Sequence, residues 1–135
     1  MTRMLAAALA LAVLVAACAA TTGSLAGPTW QWTGSTTTTP ASQSVVPDPQ
    51  NYTIQFKPDQ TFSGKADCNQ IAGTWTSTEG DGITITVGPS TMAACGPDSL
   101  APTYLAGLDK ATAYGLESSS KLTLVLGTEG TMAFK

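Results

Sequence analysis

The chain has no histidine, which removes Ser-His-Asp and Cys-His catalysis and the usual nitrogen ligand for zinc. What remains for chemistry is three cysteines and nine acidic residues. Cys68 stands between Asp67 and Asn69, a setting that suits a reactive thiol only where a base takes its proton. No such base is identifiable, and Asn69 is better placed to hydrogen-bond a turn through its side chain. Paired carboxylates serve glycoside hydrolysis, and the pairs to consider are Asp67 with Asp59 or Asp81. Their spacing carries no pattern. Glu79 and Asp81-Gly82 lack the Asp-x-Asp-x-Asp-Gly order of a calcium loop. Trp30, Trp32 and Trp75 could line a ligand cavity, although aromatic side chains in a small β domain more often fill its core. The residues assign no catalytic, cofactor-binding or metal site.

Cys18 differs because of what precedes it. Met1-Thr2-Arg3 is a basic start, Met4 to Ala17 is apolar, and the run closes on Leu14-Val15-Ala16-Ala17-Cys18. A basic start, an apolar stretch of roughly 7–15 residues and small residues at the cut describe a secretory signal peptide. Leu/Val-x-Ala-Cys resembles the lipobox of bacterial lipoproteins. That resemblance implies a diacylglycerol on the Cys18 sulfur, cleavage just before it, and a membrane held through the lipid. The competing readings are a transmembrane helix, an ordinary signal peptide with a chance cysteine, and a core helix. A spanning helix needs about 20 apolar residues, more than this run supplies. One acyl chain binds a membrane marginally, whereas two or more anchor stably. Ala19 stands where an Asp retains lipoproteins at the inner membrane. The expected address is therefore the outer membrane of a Gram-negative envelope, or otherwise the outer face of the plasma membrane.

On this reading residues 1–17 are removed, 18–27 form a lipidated tether, and 28–135 form one domain. The 118 residues from Cys18 onward suit a single domain. They carry five lysines against nine acids, a formal charge of −4. Such a surface offers no basic stripe for nucleic acid and no polybasic patch for anionic lipid, so membrane contact rests on the acyl chains. With Cys18 acylated, Cys68 and Cys95 most simply pair outside the cytoplasm; the alternative is two buried thiols. Closing a loop of about 27 residues stabilises by roughly 3.5 kcal/mol on the chain-entropy account. Asn51-Tyr52-Thr53 fits a glycosylation acceptor, for which an exported bacterial lipoprotein has little use.

The elements that would position these residues are mainly strands. Pro28 to Thr33 predicts a first strand with Trp30 and Trp32 on one face. Residues 33–50, with Thr36–Thr39, Pro40, Pro47 and Pro49, show no periodicity and predict a surface loop or a partly disordered excursion. Tyr52, Ile54 and Phe56 alternate as a half-buried strand, and Lys57-Pro58-Asp59-Gln60 turns it. Thr61 to Cys68 returns with Phe62, Gly64, Ala66 and Cys68 on one face. Gly73 to Thr78 follows, then a Glu79–Gly82 connection, then a strand marked by Ile83, Ile85 and Val87. A helix starts after an N-cap at Asp98 or Ser99, tolerates Pro102 in its first turn, and presents Leu100, Ala101, Leu105, Leu108 and Ala111 or Thr112 as its apolar stripe. Strands at Tyr114-Leu116, Leu122-Leu124-Leu126 and Met132-Phe134 complete a curled antiparallel sheet around that helix.

The segment Tyr52-Thr-Ile-Gln-Phe-Lys-Pro-Asp-Gln-Thr-Phe-Ser-Gly-Lys-Ala-Asp-Cys-Asn-Gln-Ile-Ala-Gly-Thr-Trp75 resembles the centre of the META domain, also called the HslJ-like family. Gly88-Pro-Ser-Thr-Met-Ala-Ala-Cys95 resembles its Thr-x-Met-Ala-Cys block. The resemblance covers about residues 25–135 and departs from the pattern in the Thr-rich stretch after Trp32 and at Gln60, where Gly is usual. It implies a mainly β, α+β fold, an open β-barrel-like sheet with one packed helix, often exported as a lipoprotein. Many members have no established activity, and fold alone does not supply one. Three function classes remain: a non-enzymatic envelope module with a protein partner or a stress role, a binder of a small apolar ligand or lipid, and an enzyme.

Overall fold

A computed structural model describes residues 24–91 and 93–135. In these residues nine strands and one α-helix follow in order: β1 (Thr29–Thr38), β2 (Ala41–Val45), β3 (Tyr52–Phe56), β4 (Thr61–Ala66), β5 (Asn69–Ser77), β6 (Ile83–Val87), α1 (Ala101–Lys110), β7 (Ala113–Ser118), β8 (Lys121–Val125) and β9 (Gly130–Phe134), with a 3-10 turn at Pro49–Asn51 between β2 and β3. The sheet runs β6-β5-β4-β3-β1-β9-β8-β7, with β2 added to β1. Every strand pairing is antiparallel. The expected class holds: a curled, open half-barrel with one helix packed against it.

β1 joins two meanders. Its first residues pair with β3 and its later ones with β9, with a bulge between Trp32 and Gly34. The outer strands meet at one corner, where the Ile83 N–H donates to the Thr112 carbonyl (3.1 Å) and the Tyr114 N–H to that of Asp81 (2.9 Å). Alternation decides which side chains enter the barrel. Trp30, Trp32, Tyr52, Ile54, Phe56, Phe62, Ile83, Ile85, Leu122, Leu124, Met132 and Phe134 are all buried.

Curling on this scale needs places where one strand presses on the next. Gly64 and Gly73 are two of them. A Cβ on Gly64 would overlap the Thr53 carbonyl oxygen; one on Gly73 would overlap that of Thr86 and press on the Phe62 ring. The glycines of Phe62-x-Gly64 and Gly73-x-Trp75 thus shape the sheet.

Four local expectations are corrected. The tether expected over 18–27 does not reach Gly27: Leu25 is buried in the core with its carbonyl accepting from the Trp30 indole, and the Gly27 N–H donates to the Phe56 carbonyl (3.0 Å). Residues 33–50 are not a loop: β1 continues to Thr38, turns through Thr39-Pro40, and returns as β2. Threonine is β-branched and favours strands, but all five β2 residues are exposed, so no apolar alternation marks them. Cys68 does not extend the inner face of β4. Asp67 takes a left-handed φ of 59°, and Asp67-Cys68 form the two-residue turn between Ala66 and Asn69. The helix begins after Leu100 rather than after a side-chain cap at Asp98 or Ser99. The Leu100 N–H donates to the Tyr52 hydroxyl (2.9 Å) and the Ala101 N–H to Ser99 Oγ (3.2 Å). Its inner face carries Tyr104 and Gly107 beside Ala101 and Leu108, with Leu105 only half-buried.

Gln60 also adopts a left-handed φ, 68°, in the β3–β4 turn. A β-carbon there costs about 1–2 kcal/mol, which glycine avoids at about 0.5–1 kcal/mol of unfolded-chain entropy. Gln60→Gly is therefore expected to raise stability by about 0.5–1 kcal/mol. Urea unfolding should show a higher midpoint at unchanged slope; a lower midpoint would contradict this account of the turn.

Candidate functional site

The residues singled out for thiol chemistry form a clasp. Residues 88–91 and 93–100, between β6 and α1, form neither strand nor helix and are drawn onto the β4–β5 turn. Cys68 and Cys95 are joined by a disulfide with Cα atoms 5.6 Å apart. Asn69 is the single buried polar residue among those described. Its Nδ2 donates to the Ala93 carbonyl (3.0 Å), and its Oδ1 accepts from the Ala93 N–H (2.9 Å). The amide side chain thereby does what a paired strand would do for one residue. It serves a loop 24 residues away rather than its own turn. The Gln70 N–H adds a bond to Thr91 Oγ1 (3.2 Å).

Asp67 completes the clasp. Its Oδ2 accepts from the Tyr52 hydroxyl (3.4 Å), while that hydroxyl accepts from Leu100. Asp67, Cys68 and Asn69 therefore hold the loop and the helix start against the sheet, and Cys68 carries no thiol. Nothing in this arrangement supplies a nucleophile.

The acids do not converge. Asp59, Asp67 and Asp81 occupy three successive hairpin turns, and successive turns of a meander lie at opposite ends of the sheet. Asp67 is thus remote from both others. Asp59 accepts from the Thr61 hydroxyl and, at 3.0 Å, from the Thr61 N–H; these bonds, the hydroxyl's first, hold its carboxyl below the usual range. Glu79 shares the β5–β6 turn with Asp81. Among the described residues no three His, Cys, Asp or Glu side chains group as metal ligands.

The tryptophans divide between core and rim. Trp30 and Trp32 are buried, their indole N–H groups donating to the Leu25 carbonyl (3.0 Å) and the Gly34 carbonyl (2.9 Å). Trp32 stacks on Tyr104 (5.3 Å) and meets Tyr52 edge-on (5.6 Å). Tyr104, which sequence pattern missed, is buried with a hydroxyl that finds no partner among the described residues, and burial pushes its pKa far up. Trp75 is half-buried against Phe56. It borders a groove of about 590 Å³ with Leu25, Ala26, Asp81, Tyr114 and Leu116 at the mouth of the barrel. A second groove, of about 430 Å³, separates Thr103, Ala106 and Lys110 of the helix from Ser35 and Thr37 of β1. Cys18 lies outside the described residues.

A profile of the META domain matches residues 23–135. The chain belongs to the META domain family. Two solved structures share its fold. One is a DUF4847 family protein from Bacteroides vulgatus, 19% identical, with a TM-score of 0.64 over 82% of this chain and 92% of that one. The other is a protein from Burkholderia xenovorans, 21% identical, with a TM-score of 0.65 over 82% of each chain. No functionally curated protein matches. The two blocks of sequence that resemble the META domain, around Cys68-Asn69 and Cys95, are the two sides of the clasp. In this META domain the shared motifs form the clasp, which itself borders a third groove of about 520 Å³ beside Asn69, Ala93, Cys95 and Leu105; the β1–β2 hairpin is exposed beyond it.

Proposed function

We propose that this META domain is a lipid-anchored, non-enzymatic module of the bacterial cell envelope that works by binding a protein partner. The observation that carries this reading is the filled interior. The centre of the half-barrel is occupied by Trp30, Trp32, Phe56, Phe62, Tyr104, Leu108, Leu122, Leu124 and Met132, each with less than 2% of its surface exposed. A barrel that served as a reaction chamber or carrier would keep a roomy apolar pocket with a few convergent polar groups. The polar groups that might have converged are instead spent on the clasp. The filled interior supports action at the outer surface, and on this reading Cys18 supplies the anchor.

Replacing Cys18 with Ala tests the anchor. Mass spectrometry of the processed wild-type chain is expected to show acylation at Cys18, and Cys18→Ala should leave the membrane fraction with a changed mass. Unchanged mass and fractionation in the variant would end the lipoprotein reading. The apolar groove between the helix and β1, bordered by Ala106, Leu126 and Met132, favours a second reading, binding of a small apolar ligand or lipid tail. Native mass spectrometry of the unlipidated domain, purified from its own cell envelope, separates the two: co-purifying lipid supports ligand binding, and a clean apo mass weakens it.

A further inference from the structure

The β1–β2 hairpin ends in a free edge. Among the described residues β2 pairs with β1 alone, in the unbroken register Gly34↔Val45, Ser35↔Ser44, Thr36↔Gln43, Thr37↔Ser42 and Thr38↔Ala41. The Val46 N–H donates to the Thr33 carbonyl (2.9 Å), and the Ser44 carbonyl also points at β1, against Gly34. Backbone groups alternate in direction along a strand. Ser42 and Ser44 therefore face β1, and Ala41, Gln43 and Val45 turn their N–H and C=O groups outward.

Edges left in this state are normally blunted by lysine, proline, a bulge or a covering element. β2 has none of these. No charged residue occurs from Thr29 to Pro47, and all five β2 residues are exposed. Val45, at 81% exposure, is the one large apolar side chain presented to solvent among the described residues.

The order of side chains selects the partner. Ala41-Ser42-Gln43-Ser44-Val45 reads the same in both directions by chemistry: apolar, hydroxyl, amide, hydroxyl, apolar. We propose that this edge pairs antiparallel with the β2 edge of a second copy of the chain, across a two-fold axis at Gln43. Gln43 then exchanges both backbone hydrogen bonds with its own counterpart. Ser42 faces Ser44 of the partner subunit, and Ala41 faces Val45 of the partner subunit. The contact is isologous and opposes no like charges. An unrelated neutral strand would match the backbone but not this symmetry of side chains. Five paired residues bury far less than the roughly 1,200 Å² of a stable complex, so the pairing belongs where copies are concentrated. A membrane surface concentrates them, a condition that rests on the anchoring of Cys18 proposed above.

The test is a cysteine on the axis. Gln43→Cys in the full chain, in its own envelope, should yield a disulfide-linked homodimer on a non-reducing gel. Ser119→Cys, equally exposed in the β7–β8 turn, should not. Adding Ala41→Lys and Val45→Lys to Gln43→Cys brings positive charges together on both sides of the axis and should lower the linked fraction about fivefold or more. Linking in the Gln43→Cys chain no stronger than in the Ser119→Cys chain, linking to a different protein, or indifference to the lysines would each overturn the proposal. A chain that links but fractionates as soluble would overturn the anchor and leave the edge pairing standing. A membrane-bound chain that fails to link would do the reverse.

Discussion

Replacing Cys68 and Cys95 together with alanine is expected to lower the unfolding free energy by about 3.5 kcal/mol, from the loop of 27 residues that the bond closes. For a domain of this size that corresponds to a fall in Tm of about 10–20 °C. The stabilisation acts through the unfolded chain, but the native consequence is local. Residues 88–91 and 93–100 have no strand or helix of their own, so once the bridge is gone the loop rests on its bonds with Asn69, Gln70 and Tyr52, with the Gly88 N–H donating to the Ala72 carbonyl at its start. Asn69→Ala alone should cost about 1–2 kcal/mol, because it removes both bonds to Ala93. The two effects should be less than additive, since a loop freed at Cys95 already gives the Ala93 groups access to water. A double-mutant cycle by denaturant unfolding measures this coupling, and strict additivity would show that the clasp is two independent fastenings.

The other large effect is expected at Trp32. Trp32→Ala should cost about 3–5 kcal/mol, as truncation of a buried tryptophan commonly does. It removes the ring between Tyr104 and Tyr52 and leaves a cavity at the join of the two meanders. Tyr104→Phe is the opposing control. Its hydroxyl is buried without a partner, so deleting it should raise stability by about 1 kcal/mol while keeping the ring contacts. Thermal and urea unfolding of both variants decide the matter. A Tyr104→Phe loss above about 1 kcal/mol would mean that the hydroxyl is bonded, through an internal water for instance.

Most of the sheet was legible wherever one face of a strand is buried. Trp30 with Trp32, Tyr52-Ile54-Phe56 and Ile83-Ile85 alternate because water and core lie on opposite sides of them. β2 was illegible for the same reason in reverse: with both faces in water, nothing repeats. Tyr104 was hidden by Leu100 and Leu105, which offered an equally regular stripe on a short helix. The position of Cys68 turned on the backbone angle at Asp67, which no side-chain periodicity reports. The pairing with Cys95 followed from counting cysteines. The Asn69 clasp did not, because its partner is a backbone group 24 residues away with no side-chain signal.

The place of β1 bears on how the domain forms. The earliest strand is not at an edge; it lies in the middle, between β3 and β9, and its Gln31 exchanges backbone bonds with Lys135. A chain emerging N-terminus first cannot zip its central seam until the final strand arrives. Pairings of such high contact order place folding in the range of about milliseconds to seconds rather than microseconds. On the export proposed above, that delay suits a polypeptide threaded unfolded through a channel, because the β1–β9 seam closes only after the last strand has passed.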